Sequence, residues 1–303
     1  SVSGHLGRDD GGDDVPSDLP CRHYVRPLGA AGAPTEIVGA SIPAGKKGVD
    51  VGPQTIASLN RGAGYYARKI AVNMERAHRL PKTGTFDRYV ILDSGAAEVY
   101  LFDRDRWVDG MRVIVGSPKT QTPMMAVIMR NARVDPYWNV PPDLAAERIA
   151  PNVQKLGLSY LKQKGYQLLS DWGSSPKVLD PATVDWDSVA AGQTEVRLRQ
   201  LPGPGNAMGR MKFMFPNDQG IYLHDTPDKE LLTEASRLFS GGCVRLEDAP
   251  RLARWLFEGP PPSPSGAPEQ RVDLPEPVPV YIAYFTALPT HGGVVFQDDA
   301  YGR

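Results

Sequence analysis

The chain has 303 residues, enough for one large domain or two small ones with a real core. Its hydrophobic (41%) and charged (23%) fractions are those of an ordinary globular protein, and no apolar run approaches the roughly 18 residues that a membrane-spanning helix needs. Lys and Arg number 34 against 35 Asp and Glu, so no basic surplus supports a nucleic-acid partner.

Gly (31) and Pro (29) are both plentiful, which predicts many turns and long connections instead of a helical bundle. Residues 1–36 are polar and rich in Gly, Asp and Pro, and read as a flexible leader. Cys21 at its edge and Cys243 are the two cysteines, and could pair in an oxidising compartment. Residues 37–86 hold the short "VDVGPQTIASLN" piece and then a helix expected over 64–79, with Tyr66, Ile70, Met74 and Ala77 at helical spacing and Pro81 beyond.

From Asp87 the period becomes that of strands. Val90 and Leu92, Val99 and Leu101, Val113 and Val115 alternate with their neighbours, and Ser94-Gly95 and Asp109-Gly110 are expected turns. The strand pattern runs to Pro141-Pro142. Residues 143–196 then read as an insertion, with helical periodicity in "DLAAERIAPNVQK" and "LSYLKQKGYQLL"; insertions of this length often form lids. Strand character returns at "RLRQ", "GRMKFMF" and "GIYLHD". A helix is expected after Glu247-Asp248, with Pro250 in its first turn, and "PVPVYIAYFTALP" with "GGVVFQDDAYG" as a closing pair of strands. The expected class is mainly β with peripheral helices.

Chemistry concentrates at residues 220–249. A thiol attacks as thiolate, so a nucleophilic cysteine needs a base or a positive neighbour, and room for a carbonyl beside its backbone. Gly241 and Gly242 precede Cys243, Arg245 follows two residues on, and His224 lies upstream in a His-Asp-Thr-Pro turn. A buried, inert cysteine fits the same residue types equally well. A metal site lacks ligand-spaced partners, and no cofactor is expected.

His224-Asp225-Thr226-Pro227 followed by Arg237-x-x-Ser240-Gly241-Gly242-Cys243-Val244-Arg245 resembles the signature of the L,D-transpeptidase (YkuD-type) catalytic domain. "NMERAHRLP", "MRVIVGSPKTQTP", Asp135 to Pro142, "LRQLPGPGNAMGRMKFMFPN" and "VPVYIAYFTA" are similar to its long, lidded, Gram-negative branch, over some 230 residues. The family's commonest form has a histidine directly before the Gly-Cys pair; Gly241 stands there in this chain, which fits the long branch and leaves His224 as the base.

The resemblance implies an L,D-transpeptidase β-sandwich over 87–303 with a helical and loop lid over 143–196, preceded by the remnant of a peptidoglycan-binding module. It implies peptidoglycan stem peptides as partners and a periplasmic or cell-envelope location. Cys243 would attack the diamino-acid carbonyl of a stem, His224 would move the proton, and the thioacyl group would pass to an amine of another stem. The N–H groups of Gly242 and Cys243, with Tyr222, would hold the oxyanion, and the backbone carbonyl of Asp225 would orient the imidazole. The Asp225 side chain, on the opposite face of the strand, would brace the Thr226-Pro227 turn. Arg245, Ser240, Gly241, Trp138 and Tyr137 are the expected substrate-binding residues, Arg245 being also a candidate structural ion pair and the two aromatics candidates for core packing. Carbapenem β-lactams are the expected inhibitors. Water or an outer-membrane protein as acceptor, and an inactive wall-binding module, are the alternatives.

Overall fold

The computed structural model describes residues 60–303, apart from 174, 291 and 292. The expected leader, Cys21 and residues 37–59 lie outside the described residues. In chain order the first elements are helix α1 (Gly62–Ala77) and strands β1 (Arg88–Asp93), β2 (Glu98–Asp103), β3 (Arg106–Gly116), β4 (Met125–Val134) and β5 (Trp138–Asn139). Next come α2 (Pro142–Leu144), a π-helical turn (Ala145–Ile149), α3 (Ala150–Leu156), α4 (Ser159–Gln163), β6 (Tyr166–Leu169), β7 (Val178–Leu179), α5 (Trp186–Ala190) and β8 (Arg197–Gln200). The remainder is β9 (Met211–Met214), β10 (Leu223–His224), β11 (Leu238–Ser240), β12 (Val244–Leu246), α6 (Ala249–Leu256), β13 (Gln270–Ala283), β14 (Ala287–Thr290) and β15 (Gly293–Phe296). The class is mainly β with peripheral helices.

The chain divides into two compact units. One takes the described residues up to Gly110, with Gln121–Val127 and Pro279–Arg303; the other takes Met111–Thr120 and Ile128–Val278.

In the first unit β1 pairs antiparallel with β2 and parallel with the end of β13, from Val90 opposite Val280 to Asp93 opposite Ala283. "PVPVYIAYF" therefore pairs with β1 and not, as expected, with the last strand; the closing hairpin is β14 with β15. Leu80, Tyr89, Ile91, Phe102, Tyr281 and Phe285 form the core, with the Tyr89 and Phe102 rings stacked at 4.8 Å. Helix α1, close to its expected span, is fastened by buried Asn73. Its amide donates to Thr286 Oγ1 (3.0 Å) and its carbonyl accepts the Thr286 N–H (2.7 Å). The reversal between β2 and β3 falls at Arg104-Asp105, both in the left-handed region, while the expected Asp109-Gly110 turn lies inside β3. The β1–β2 turn does use Ser94-Gly95. Asp93 Oδ1 accepts the Gly95 and Phe285 N–H groups, and a side chain on Gly95 would strike the Phe285 carbonyl.

The second unit carries the strand order β11-β3-β12-β10-β9-β4, in which β10 and β12 run parallel while β9 is antiparallel to β10. Its inserted segment has a core of its own. Val140, Ile149, Val153, Leu161, Leu168, Trp186, Val189 and Leu198 bury one another there. The segment also has its own sheet, ordered β5-β8-β6-β7. "LSYLKQKGYQLL" was expected to be helical throughout; α4 ends before Gly165, whose φ of 70° stops the helix, and "YQLL" becomes β6. Beside this sheet the 201–209 loop is latched by two buried amides. Asn206 donates to the carbonyls of Pro136, Gln200 and Leu201, and Gln200 to those of Lys164 and Gly205.

Candidate active site

Strands β9, β10 and β12 are short, so every second residue counts. Phe213, Leu223, Val244 and Leu246 turn into the core and are completely buried. Their neighbours face the other way. The parallel register sets Leu223 opposite Val244 and His224 opposite Arg245, and the Val244 N–H donates to the Tyr222 carbonyl at 3.1 Å. One step back, Tyr222 stands beside Cys243. On β9, Lys212 is opposite His224. One face of three adjacent strands thus presents Lys212, then Tyr222 and His224, then Cys243 and Arg245, with the imidazole as the diagonal neighbour of the thiol.

The imidazole is fully buried, 5.7 Å from the Tyr222 ring between centroids, and its Nδ1 lies 2.5 Å from the backbone carbonyl of Asp225. A carbonyl only accepts, so Nδ1 carries the hydrogen and Nε2 keeps its lone pair. Burial first, then the positive charges of Arg245 and Lys212, hold the His224 pKa down at about 3. His224 is therefore neutral at rest.

Cys243 is a partly buried free thiol whose sulfur lies 3.5 Å from the Gly220 carbonyl. Burial raises its pKa; hydrogen bonds from the Tyr222 N–H and phenol, with Arg245 and Lys212, oppose that rise. The resting pair is a thiol and an imidazole, not an ion pair. The phenol is held even more firmly in its protonated form, by burial and by the neighbouring sulfur.

The loop entering Cys243 corrects two expectations. Ser240 is buried: its Oγ accepts the Gly242 N–H at 3.1 Å and donates to the Cys243 carbonyl at 2.5 Å. It shapes the loop and is not placed to touch a ligand. The Gly242 N–H, expected to hold an oxyanion, is instead engaged by Ser240, while the Gly242 φ of 115° is one that glycine alone adopts readily. Gly241 is exposed, with open space where a side chain would be.

Asp225 turns its carboxylate away from the imidazole, as strand alternation predicts. It accepts the Arg210 N–H (3.0 Å) and the Lys229 ammonium (2.7 Å), which also reaches the Leu246 and Glu247 carbonyls. Gly209, in contact with that carboxylate, has no room for a side chain. The carboxylate thus braces the 225–229 turn from outside; within the turn, Thr226 Oγ1 accepts the Asp228 N–H. Arg245 donates to Asp228 at 3.1 Å, an ion pair that leaves its charge facing the thiol. The exposed Arg148 of the π-helical turn lies within electrostatic reach of Arg245.

Tyr137 and Trp138 sit on or beside the small sheet. The Arg199 guanidinium lies 4.2 Å from the Tyr137 ring centroid, and Trp138 packs against the core of the inserted segment. Neither is brought against the thiol. Sequence reading missed Lys212 and Glu269, paired at 2.7 Å, and Asn217, which bonds Phe215, Gln219 and Ile221 to shape the turn before β10. Lys212 is 57 residues from Glu269, too far for any local pattern to join them. Asn217 could have been found from its Pro-Asn-Asp turn signal. Among the described residues no cluster of His, Cys, Asp and Glu could hold a metal ion.

A family model described as the L,D-transpeptidase catalytic domain (YkuD) matches residues 87–279. A curated protein of Haemophilus influenzae, provisionally named L,D-transpeptidase, is 31% identical over 247 residues, covering 78% of this chain and 48% of that protein. The chain thus spans about half the length of the curated relative it matches. Solved structures include an L,D-transpeptidase from Mycobacterium smegmatis, 13% identical over 65% of this chain and 58% of that one, with a TM-score of 0.32. An L,D-transpeptidase in complex with imipenem is 12% identical over the same shares, with a TM-score of 0.30. These structural likenesses are too slight to carry any part of the assignment, which rests on the family model. With the motif of residues 224–245 and a match across most of its length, the chain belongs to the L,D-transpeptidase (YkuD) family.

Proposed function

We propose that the protein is a peptidoglycan L,D-transpeptidase that works through a thioacyl intermediate on Cys243. The observation that carries the reading is the shared sheet face. A free thiol receives the Tyr222 phenol, and beside it His224 keeps an unprotonated Nε2 because Asp225 O holds Nδ1–H.

The reaction begins from the neutral pair. As the Cys243 sulfur adds to the diamino-acid carbonyl of a donor stem, Nε2 of His224 takes the thiol proton. The Cys243 N–H and the Tyr222 hydroxyl face the developing oxyanion, in place of the Gly242 N–H. The C–N bond to the terminal D-Ala breaks, and the imidazolium gives its proton to the departing amine. An acceptor amine then adds to the thioester, His224 takes the surplus proton and returns it to the sulfur, and the new amide leaves. The charges of Arg245 and Arg148 suit the carboxylates of a stem peptide. That substrate puts the protein in the periplasm or cell envelope, and the same thiol opens a carbapenem ring.

Incubation with purified disaccharide-tetrapeptide tests the reading by product mass. A cross-linked dimer with loss of one D-Ala is expected. Disaccharide-tripeptide alone would make the acceptor water, product only when an outer-membrane protein is added would make it a protein anchor, and no product from a folded, thiol-reactive enzyme would overturn turnover altogether.

A further inference from the structure

Lys212 and Glu269 form the least exposed of the described ion pairs, with side chains 13% and 28% exposed, and the mechanism above gives them no part. Lys212 comes from β9, directly opposite His224, and its ammonium stands 5.8 Å from the centroid of the Tyr222 ring. The ring it faces is the one whose hydroxyl donates to the Cys243 sulfur. A cation near an aromatic face is attracted by the ring, and near a thiol it favours the anion.

Glu269 is held just as firmly. It sits ahead of β13 in the left-handed region (φ 59°), donates its N–H to the Asp135 carbonyl, and accepts Arg133 Nη1 on its own carbonyl. Its Oε1 receives both the Lys212 ammonium at 2.7 Å and the Tyr137 N–H at 2.8 Å. One carboxylate oxygen thus joins the backbone ahead of the inserted segment to the cation under the active-site phenol.

We propose that Lys212 is a positioning residue for the thiol chemistry: gripped by Glu269, its ammonium supports the Tyr222 phenol against Cys243 and supplies positive charge there, while the Glu269 carboxylate moderates that charge. The inference rests on reading Cys243 as the nucleophile. The charged and titratable groups facing Cys243 and Tyr222 are Lys212 from β9, His224 from β10, Arg245 from β12 and Glu269 ahead of β13; Asp228 and Arg148 act at one remove, on Arg245.

The test is the pH profile of Cys243 alkylation by iodoacetamide in the intact protein, which needs no peptidoglycan and so separates this inference from the proposed turnover. Lys212→Gln is expected to move the midpoint up and slow alkylation at neutral pH by roughly three- to tenfold. Lys212→Arg restores the midpoint. Glu269→Gln keeps an acceptor for both donors but removes the negative charge, and is expected to move the midpoint down. Thermal unfolding confirms that each variant is folded. An unchanged midpoint in folded Lys212→Gln, no restoration by Lys212→Arg, or a Glu269→Gln shift in the same direction as Lys212→Gln would overturn the proposal. If Lys212→Gln does not fold, the direction of the Glu269→Gln shift decides alone.

Discussion

Ser240 shows how a residue beside Cys243 can matter through the backbone alone. Its buried hydroxyl joins the Gly242 N–H to the Cys243 carbonyl. Ser240→Ala leaves both without that partner, at a cost of about 1–3 kcal/mol; chemical denaturation should show the loss, and Ser240→Thr should recover part of it. His224 makes a second prediction, with a definite sign. Its folded pKa of about 3 lies below the ordinary histidine value of 6.5, so its neutral form contributes stability that is full above 6.5 and is lost as pH falls toward 3. Between pH 6.5 and 4.5 the wild type should lose roughly 2 kcal/mol relative to His224→Asn, whose amide can still donate to Asp225 O. Equal losses would mean that the imidazole is not buried as described. Cys243 and His224 stand out in the sequence among small or turn-forming residues, but those residue types left an inert cysteine equally open, and only the family motif of residues 224–245 singled the two out. The part of Ser240 was not legible, since the direction of its bonds follows from a glycine φ that no side chain announces.

Elements were legible where the signal is local. Helix α1 and the β1–β2 hairpin follow from spacing and from Ser94-Gly95, and α6 from its Asp248 cap, whose carboxylate accepts the Arg251 N–H. What failed was pairing across long separations. Nothing near Tyr166 says that it lies opposite Gln200, and nothing near Val280 says that it runs parallel to Val90. Within residues 143–196, β6 and β7 read as helix and loop because they are only four and two residues long, too short for a clear alternating pattern. The attachment of the inserted segment depends on side-chain amides. Asn206→Ala strands three backbone carbonyls and the Met208 N–H that Asn206 Oδ1 accepts. It should destabilise the protein by at least about 1–3 kcal/mol. Hydrogen exchange should show lost protection concentrated at residues 200–209; a uniform loss would deny that the latch is local.

For the molecule as a whole, a net charge of only -1 leaves pH dependence to individual buried groups. Asp93 opposes His224. Burial raises its carboxyl to about 7, and Oδ2 has no hydrogen-bond partner among the described residues. A raised folded pKa means that its contribution is full below the ordinary aspartate value of 3.8 and is lost as pH climbs to 7. From pH 5 to 8 the wild type should lose roughly 2–3 kcal/mol relative to Asp93→Asn, read by urea denaturation at each pH; parallel curves would place the charge in solvent. The proposed thiol chemistry of Cys243 can be checked by intact-mass measurement after exposure to a carbapenem. One added carbapenem mass is expected, mapped to Cys243, absent in Cys243→Ala and strongly slowed in His224→Asn. A folded wild-type protein that gains no mass, or that gains it equally in Cys243→Ala, would contradict the account.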